Sequence, residues 1–163
     1  MAEIDQGRVE QLITAGAAAV AGALTGVAFV GLGQEEEEES AQVLTLLSID
    51  LADRVPSSYG AAVGVDLPHV QDVAVKLGLR TDEAAAGAAL YRHGSLVSSV
   101  VQGMRPRAFT GGGHTVTLGR ARQEMVPAPD DQVGVRVTVI TLTGMVRAYN
   151  AQLRGEVAAL SAK

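Results

Sequence analysis

From Leu12 to Gln34 the chain runs for twenty-three residues without a charge and then meets five consecutive glutamates, Glu35–Glu39. A stretch of that length either spans a bilayer, which takes roughly 20 apolar residues, or folds back on itself within a packed domain. Its content favours folding back. Five glycines (Gly16, Gly22, Gly26, Gly31, Gly33) and a run of alanines leave few strongly lipophilic side chains to drive insertion. Gly22 and Gly26 have the spacing of packed membrane helices, but that spacing serves any two closely packed elements. The pattern also changes partway. Val9, Leu12, Ile13, Ala17, Val20 and Leu24 recur at helical spacing, whereas Val27, Phe29 and Val30 are β-prone and follow a Thr25-Gly26 break. The spacing predicts a helix over 6–23, a turn, and a buried strand over 27–32, with residues 1–5 as a flexible N-terminus. A membrane-anchored protein using residues 12–32 is the reading that hydropathy favours less.

The 163 residues fit a single domain over 1–163, with 47% hydrophobic and 19% charged residues. Aromatic residues make up only 3%, so Ala, Val, Leu and Gly must supply most of the buried surface, and each buries less than Phe or Trp. A chain of this kind gains from burying further surface against copies of itself. Cysteine is absent, which excludes disulfides, thiolate metal sites and cysteine nucleophiles. No Lys/Arg-led apolar segment with a cleavage site opens the chain, so cytoplasmic synthesis is expected. Charge is divided unevenly: residues 1–79 carry a net −9 and residues 80–163 a net +4, giving −5 for the whole. Opposed halves suit steering between subunits packed head to tail. The plainer account is a solvated glutamate run.

After an acidic connector over 33–40, the glutamates suit a helix start. Val43, Leu44, Leu46, Leu47, Leu51 and Val55 then predict an amphipathic helix ended by Pro56. "AAVGV", residues 61–65, reads as a short buried strand. "VQDVAVKLGLRTDEAAAGAAL" places Ala74, Gly78, Val73, Leu77 and Leu79 as a helix-turn-helix does, and resembles those families over about twenty residues. Its second helix would begin Thr81-Asp82-Glu83 and continue in Ala and Gly. It lacks the Arg, Lys, Asn or Gln that read bases, so nucleic acid is not an expected partner. "LYRHGSLVSSVVQGM" predicts two strands joined at Arg92–Ser95, or a helix end followed by a strand. "HTVTLGRARQEMV" and "VGVRVTVITLTG" predict an antiparallel hairpin over 114–143, with Val133, Val135, Val137 and Val139 on the core face. Val146, Tyr149, Leu153, Val157 and Leu160 then predict a C-terminal amphipathic helix. The fold class expected is α+β: N-terminal helix-strand units, a late hairpin and a terminal helix around one sheet.

Catalytic signatures are missing. His69, His93 and His114 show no paired metal-ligand spacing and read as solvent-facing loop residues. There is no G-x-S-x-G elbow, Walker A sequence or dinucleotide fingerprint. The expectation is a protein that is not an enzyme, with no catalytic residue, cofactor or metal. One segment stands out, the Arg/Gly-rich loop over 104–114: Arg105 and Arg107 bracket Pro106, Phe109 follows, then three glycines. It either holds an anion or a partner or simply connects, with Phe109 plugging the core.

The helix-first start and the late hairpin are similar in layout to small α+β virion proteins, such as tail-terminator or connector subunits that form rings. That resemblance implies a structural role in a virion, joining or closing a phage tail tube through contacts with copies of itself and other structural subunits. Arg105, Arg107, Phe109, Val146, Tyr149, Leu153 and Val157 are the candidate interface residues. "SIDLADRVPSSYGAAVGV", a helix leading into an apolar strand, also resembles the opening of small GAF-like sensor domains, which implies a closed ligand pocket.

Overall fold

The computed structural model describes residues 4–35, 41–53, 69–82, 92–105, 108–127 and 134–148. Over these residues the fold is mixed α+β, a six-stranded sheet with two helices. Helix α1, Gln6–Gly22, follows the predicted spacing, burying Val9, Ile13, Gly16, Ala17, Val20 and Ala21 on one side. Asp5 caps it: the carboxylate accepts the Arg8 N–H at 3.2 Å, satisfying one of the amides a helix start leaves unbonded. After a turn with Gly26 at φ 82°, the short strand β1, Ala28–Val30, falls within the predicted strand. The uncharged stretch therefore folds back, and no helix among the described residues is long and apolar enough to cross a membrane.

The segment expected as a second helix is a strand, β2, Gln42–Asp53. The misleading feature is a bulge between Leu46 and Ser48. Leu44 and Leu46 point into the core before it, and Ile49 and Leu51 after it. The inserted Leu47 adds a step of three to a period of two, which imitates helical spacing. The helix-turn-helix segment is likewise one strand, β3, His69–Asp82, with Val73, Val75, Leu77, Leu79 and Thr81 buried in strict alternation. Gly78 lies opposite Thr45 in this sheet and marks no turn. The region expected as two strands contains helix α2, His93–Met104, burying His93, Leu96, Val97, Val100 and Met104. These positions are spaced three and four apart, a pattern obscured by Gly94 and Gly103. Gly103 lets α2 lie close to α1: a Cβ there would meet the Val20 Cγ2 at 2.9 Å.

Strands β4, Ala108–Gly111, β5, His114–Val126, and β6, Val135–Ala148, complete the sheet in the order β1-β2-β3-β6-β5-β4. β5 and β6 pair antiparallel as the hairpin prediction has it. Its phase is the reverse of that expected. Thr138, Ile140, Leu142 and Val146 face the core, while Val135, Val137 and Val139 lie half-buried on the opposite face. Val146 is fully buried in β6 and belongs to no terminal helix. The rest of that expected helix, from Tyr149 onward, lies outside the described residues, as does the strand expected over 61–65. Both helices pack on one face of the sheet, where Val9, Ile13 and Val20 join Leu96, Val100, Leu46, Leu77, Ile140 and Leu118 in a single core.

Candidate functional site

Of the residues singled out by sequence, Arg105, Phe109 and Val146 are described. Arg105 is exposed at the end of α2, and Arg107 lies outside the described residues, as do Tyr149, Leu153 and Val157. Phe109 is only 8% exposed and belongs to the core cluster. Its ring lies on the bare backbone of Gly16 in α1, where a Cβ would stand 2.7 Å from the Phe109 Cδ1. The Arg/Gly-rich segment is mostly structure. Gly111 ends β4, Gly112 and Gly113 make the turn with φ of 58° and 79°, and β5 begins at His114. Two successive positive φ values are what a two-residue hairpin turn requires, and glycine adopts them without steric cost.

Two of the histidines are buried, contrary to the loop reading. His114 stands 7% exposed. Its Nε2 accepts the Asp5 N–H at 2.9 Å, and its Nδ1 lies 3.1 Å from the Gly112 carbonyl oxygen. An amide can only donate and a carbonyl can only accept, so these two contacts match the tautomer that carries its proton on Nδ1. It clasps the start of α1 to the β4–β5 turn. His93, 3% exposed, bridges β3 and β6 from the first turn of α2, with Nδ1 3.0 Å from the Thr81 Oγ1 and Nε2 2.6 Å from the Thr138 Oγ1. Replacing His93 with alanine strands both buried hydroxyls, and the expected loss is about 2 kcal/mol. Urea unfolding would show it as a lower midpoint at unchanged slope. Both histidines are structural, and among the described residues no group of three His, Asp or Glu is placed to hold a metal ion.

The distinctive surface is the sheet itself, on the face away from the helices and along its two edges. On that face an open trough of about 540 Å³ crosses β2, β3, β6 and β5. Its floor is a single cross-strand row: Asp50 pairs with Ala74, Ala74 with Thr143, and Thr143 with Arg120. Small side chains at the two central positions leave an acidic wall at Asp50 and a basic wall at Arg120. At the edges, the flanking strands are much shorter than those they flank. β1 covers β2 only at Val43–Thr45, and β4 covers β5 only at His114–Thr117. Among the described residues, Leu46–Ala52 of β2 and Gly119–Val126 of β5 therefore present open strand edges. Sequence reasoning overlooked these, because reading residues 43–55 as a helix hid one edge altogether. The alternation of Arg120, Arg122 and Glu124 on an exposed strand was the available signal for the other. No protein family and no curated protein matches the chain by sequence.

Proposed function

We propose that this chain is a structural subunit, not an enzyme, that assembles with copies of itself into a symmetric ring, as virion tail-terminator and connector subunits of similar layout do. The observation that supports this reading most is the pair of edges left open among the described residues, one on each side of the sheet, each long enough to take another strand. An exposed edge is a template for pairing with another chain, and proteins that stay monomeric usually cover or shorten it. The few aromatic residues add a second support, since a core of small side chains gains from burial against neighbours. Of the segment that resembles GAF-like sensors, residues 48–53 lie in strand β2 and not in a helix, and residues 54–65 lie outside the described residues.

The test is the native mass of the purified chain in detergent-free buffer at two salt concentrations. The expected result is a discrete oligomer that loosens as salt rises, because screening weakens contacts between exposed charges. A monomer at both salt concentrations would overturn the reading.

A further inference from the structure

We infer that the open edge of β2 in one copy pairs antiparallel with the open edge of β5 in the next, with Asp50 facing Arg120 and Arg122 across the junction. This rests on the assembly reading and names the surfaces that perform it. Three observations point to that pairing. The first is direction: β2, β3, β6 and β5 are successively antiparallel, so β5 runs opposite to β2. A second copy in the same orientation, placed beside the first, thus brings its β5 antiparallel to the first copy's β2.

The second is shape. β1 blocks β2 at the end where Val43 shares a row with Arg80, Val137 and Val126. β4 blocks β5 at the other end of the sheet, beside His114–Thr117. The blocked stretches lie diagonally apart, so each copy needs only a step along the strands to bring Val126 past β1 and alongside Leu46. That step is three residues, or ~10 Å. Pairing of unlike edges is heterologous, and it closes into a ring when the rotation between copies allows.

The third is charge. Charged residues on an edge strand commonly guard against pairing. Here the two edges carry opposite signs. Asp50 is exposed on β2, and Arg120 and Arg122 are exposed on β5 beside a single Glu124. β2 against β2 would oppose acid to acid, and β5 against β5 would oppose arginines, while β2 against β5 matches them. The pleat agrees as well: Asp50, Arg120 and Arg122 all lie on the face away from the helices, and Leu51 and Ala121 both pack toward the core.

The experiment uses two full-length charge reversals, Asp50→Lys and the double variant Arg120→Glu/Arg122→Glu, each checked by its melting curve and then run alone and mixed in equal amounts. Each alone should associate at least about tenfold more weakly than the wild type, since like charges now meet at the junction. The mixture should recover the wild-type mass, because lysine edges then meet glutamate edges and the unaltered edges meet each other. Reversed variants that keep the wild-type mass would overturn the pairing while leaving assembly standing. Variants that fall apart and do not recover on mixing would overturn it too. A wild type that is itself monomeric would remove the assembly reading, and this inference with it. If a reversed variant melts early, Asp50→Ser and Arg120→Ser/Arg122→Ser carry the test, and their assembly should lose the salt sensitivity of the wild type.

Discussion

Phe109→Ala should unfold at a much lower urea concentration than the wild type, with a loss of about 3–5 kcal/mol. The expected size follows from the scarcity of large side chains in this core. Phe109 is buried in β4, a strand of 4 residues that, among the described residues, is held to the sheet only by its pairing with β5. Its ring rests on Gly16, so it is also the bolt between that strand and α1. Truncation leaves a cavity that neither the short strand nor a glycine-faced helix can refill. A loss of that size is a large share of a typical stability of ~5–15 kcal/mol. Gly16→Ala probes the same contact from the other side. Alone it should destabilise, because its methyl collides with the ring. In the Phe109→Ala background it should cost little or even gain, a coupling that a double-mutant cycle measures directly. Additive losses would show that the two residues do not share one contact.

Gly144→Ala is expected to cost about 3 kcal/mol, at the upper end of overpacking effects. Gly144 lies opposite Leu118, where β5 bulges before Arg120. The bulge brings the Thr117 carbonyl over Gly144, so that a Cβ would fall on the oxygen itself, with the Leu118 Cα at 2.8 Å. Both obstacles are backbone, so no rotamer change relieves them and the strands must separate. The denaturation midpoint should fall at constant slope. The same bulge sets which side Arg120 and Arg122 occupy. The substitution should therefore also weaken self-association beyond what lost stability explains, which native mass at low temperature would reveal.

The first helix and strand were legible because each has one uninterrupted period, 3.6 residues through Val20 and then a β-prone run closed by glycines. The β5–β6 pairing was legible for the same reason. What misled was local irregularity. The bulge at Leu47 gave β2 a helix-like spacing, and Ala74 and Gly78 in β3 mimicked a helix crossing when they are small residues on the outer face of a sheet. In β6 both faces carry branched apolar or threonine residues, so alternation fixed the strand but could not fix its phase. Packing on the helices decides that Ile140 and Leu142 go inward. The buried histidines were illegible for a different reason: their partners Asp5, Thr81 and Thr138 lie 109, 12 and 45 residues away. The charged edges had a local signal in Arg120 and Arg122, but an edge exists only once strand order is known.

The clasp between His114 and the Asp5 amide also bears on the order of events during synthesis. α1 leaves the ribosome first, yet the imidazole that fixes its start is made 109 residues later. The floor under its Gly16 is Phe109, made nearly as late. At ~5–20 residues per second, the helix waits roughly 5–20 seconds for these two partners, with the sooner-made β1 and β2 to cover only part of the face that carries Val9, Ile13, Ala17 and Val20. Alanine and valine, the modest side chains that dominate that face, are a tolerable burden for such a wait, where leucines and phenylalanines would invite premature sticking. The thinness of this layer of the core is then suited to a chain in which α1 is fully sheltered only once β4 and β5 have arrived.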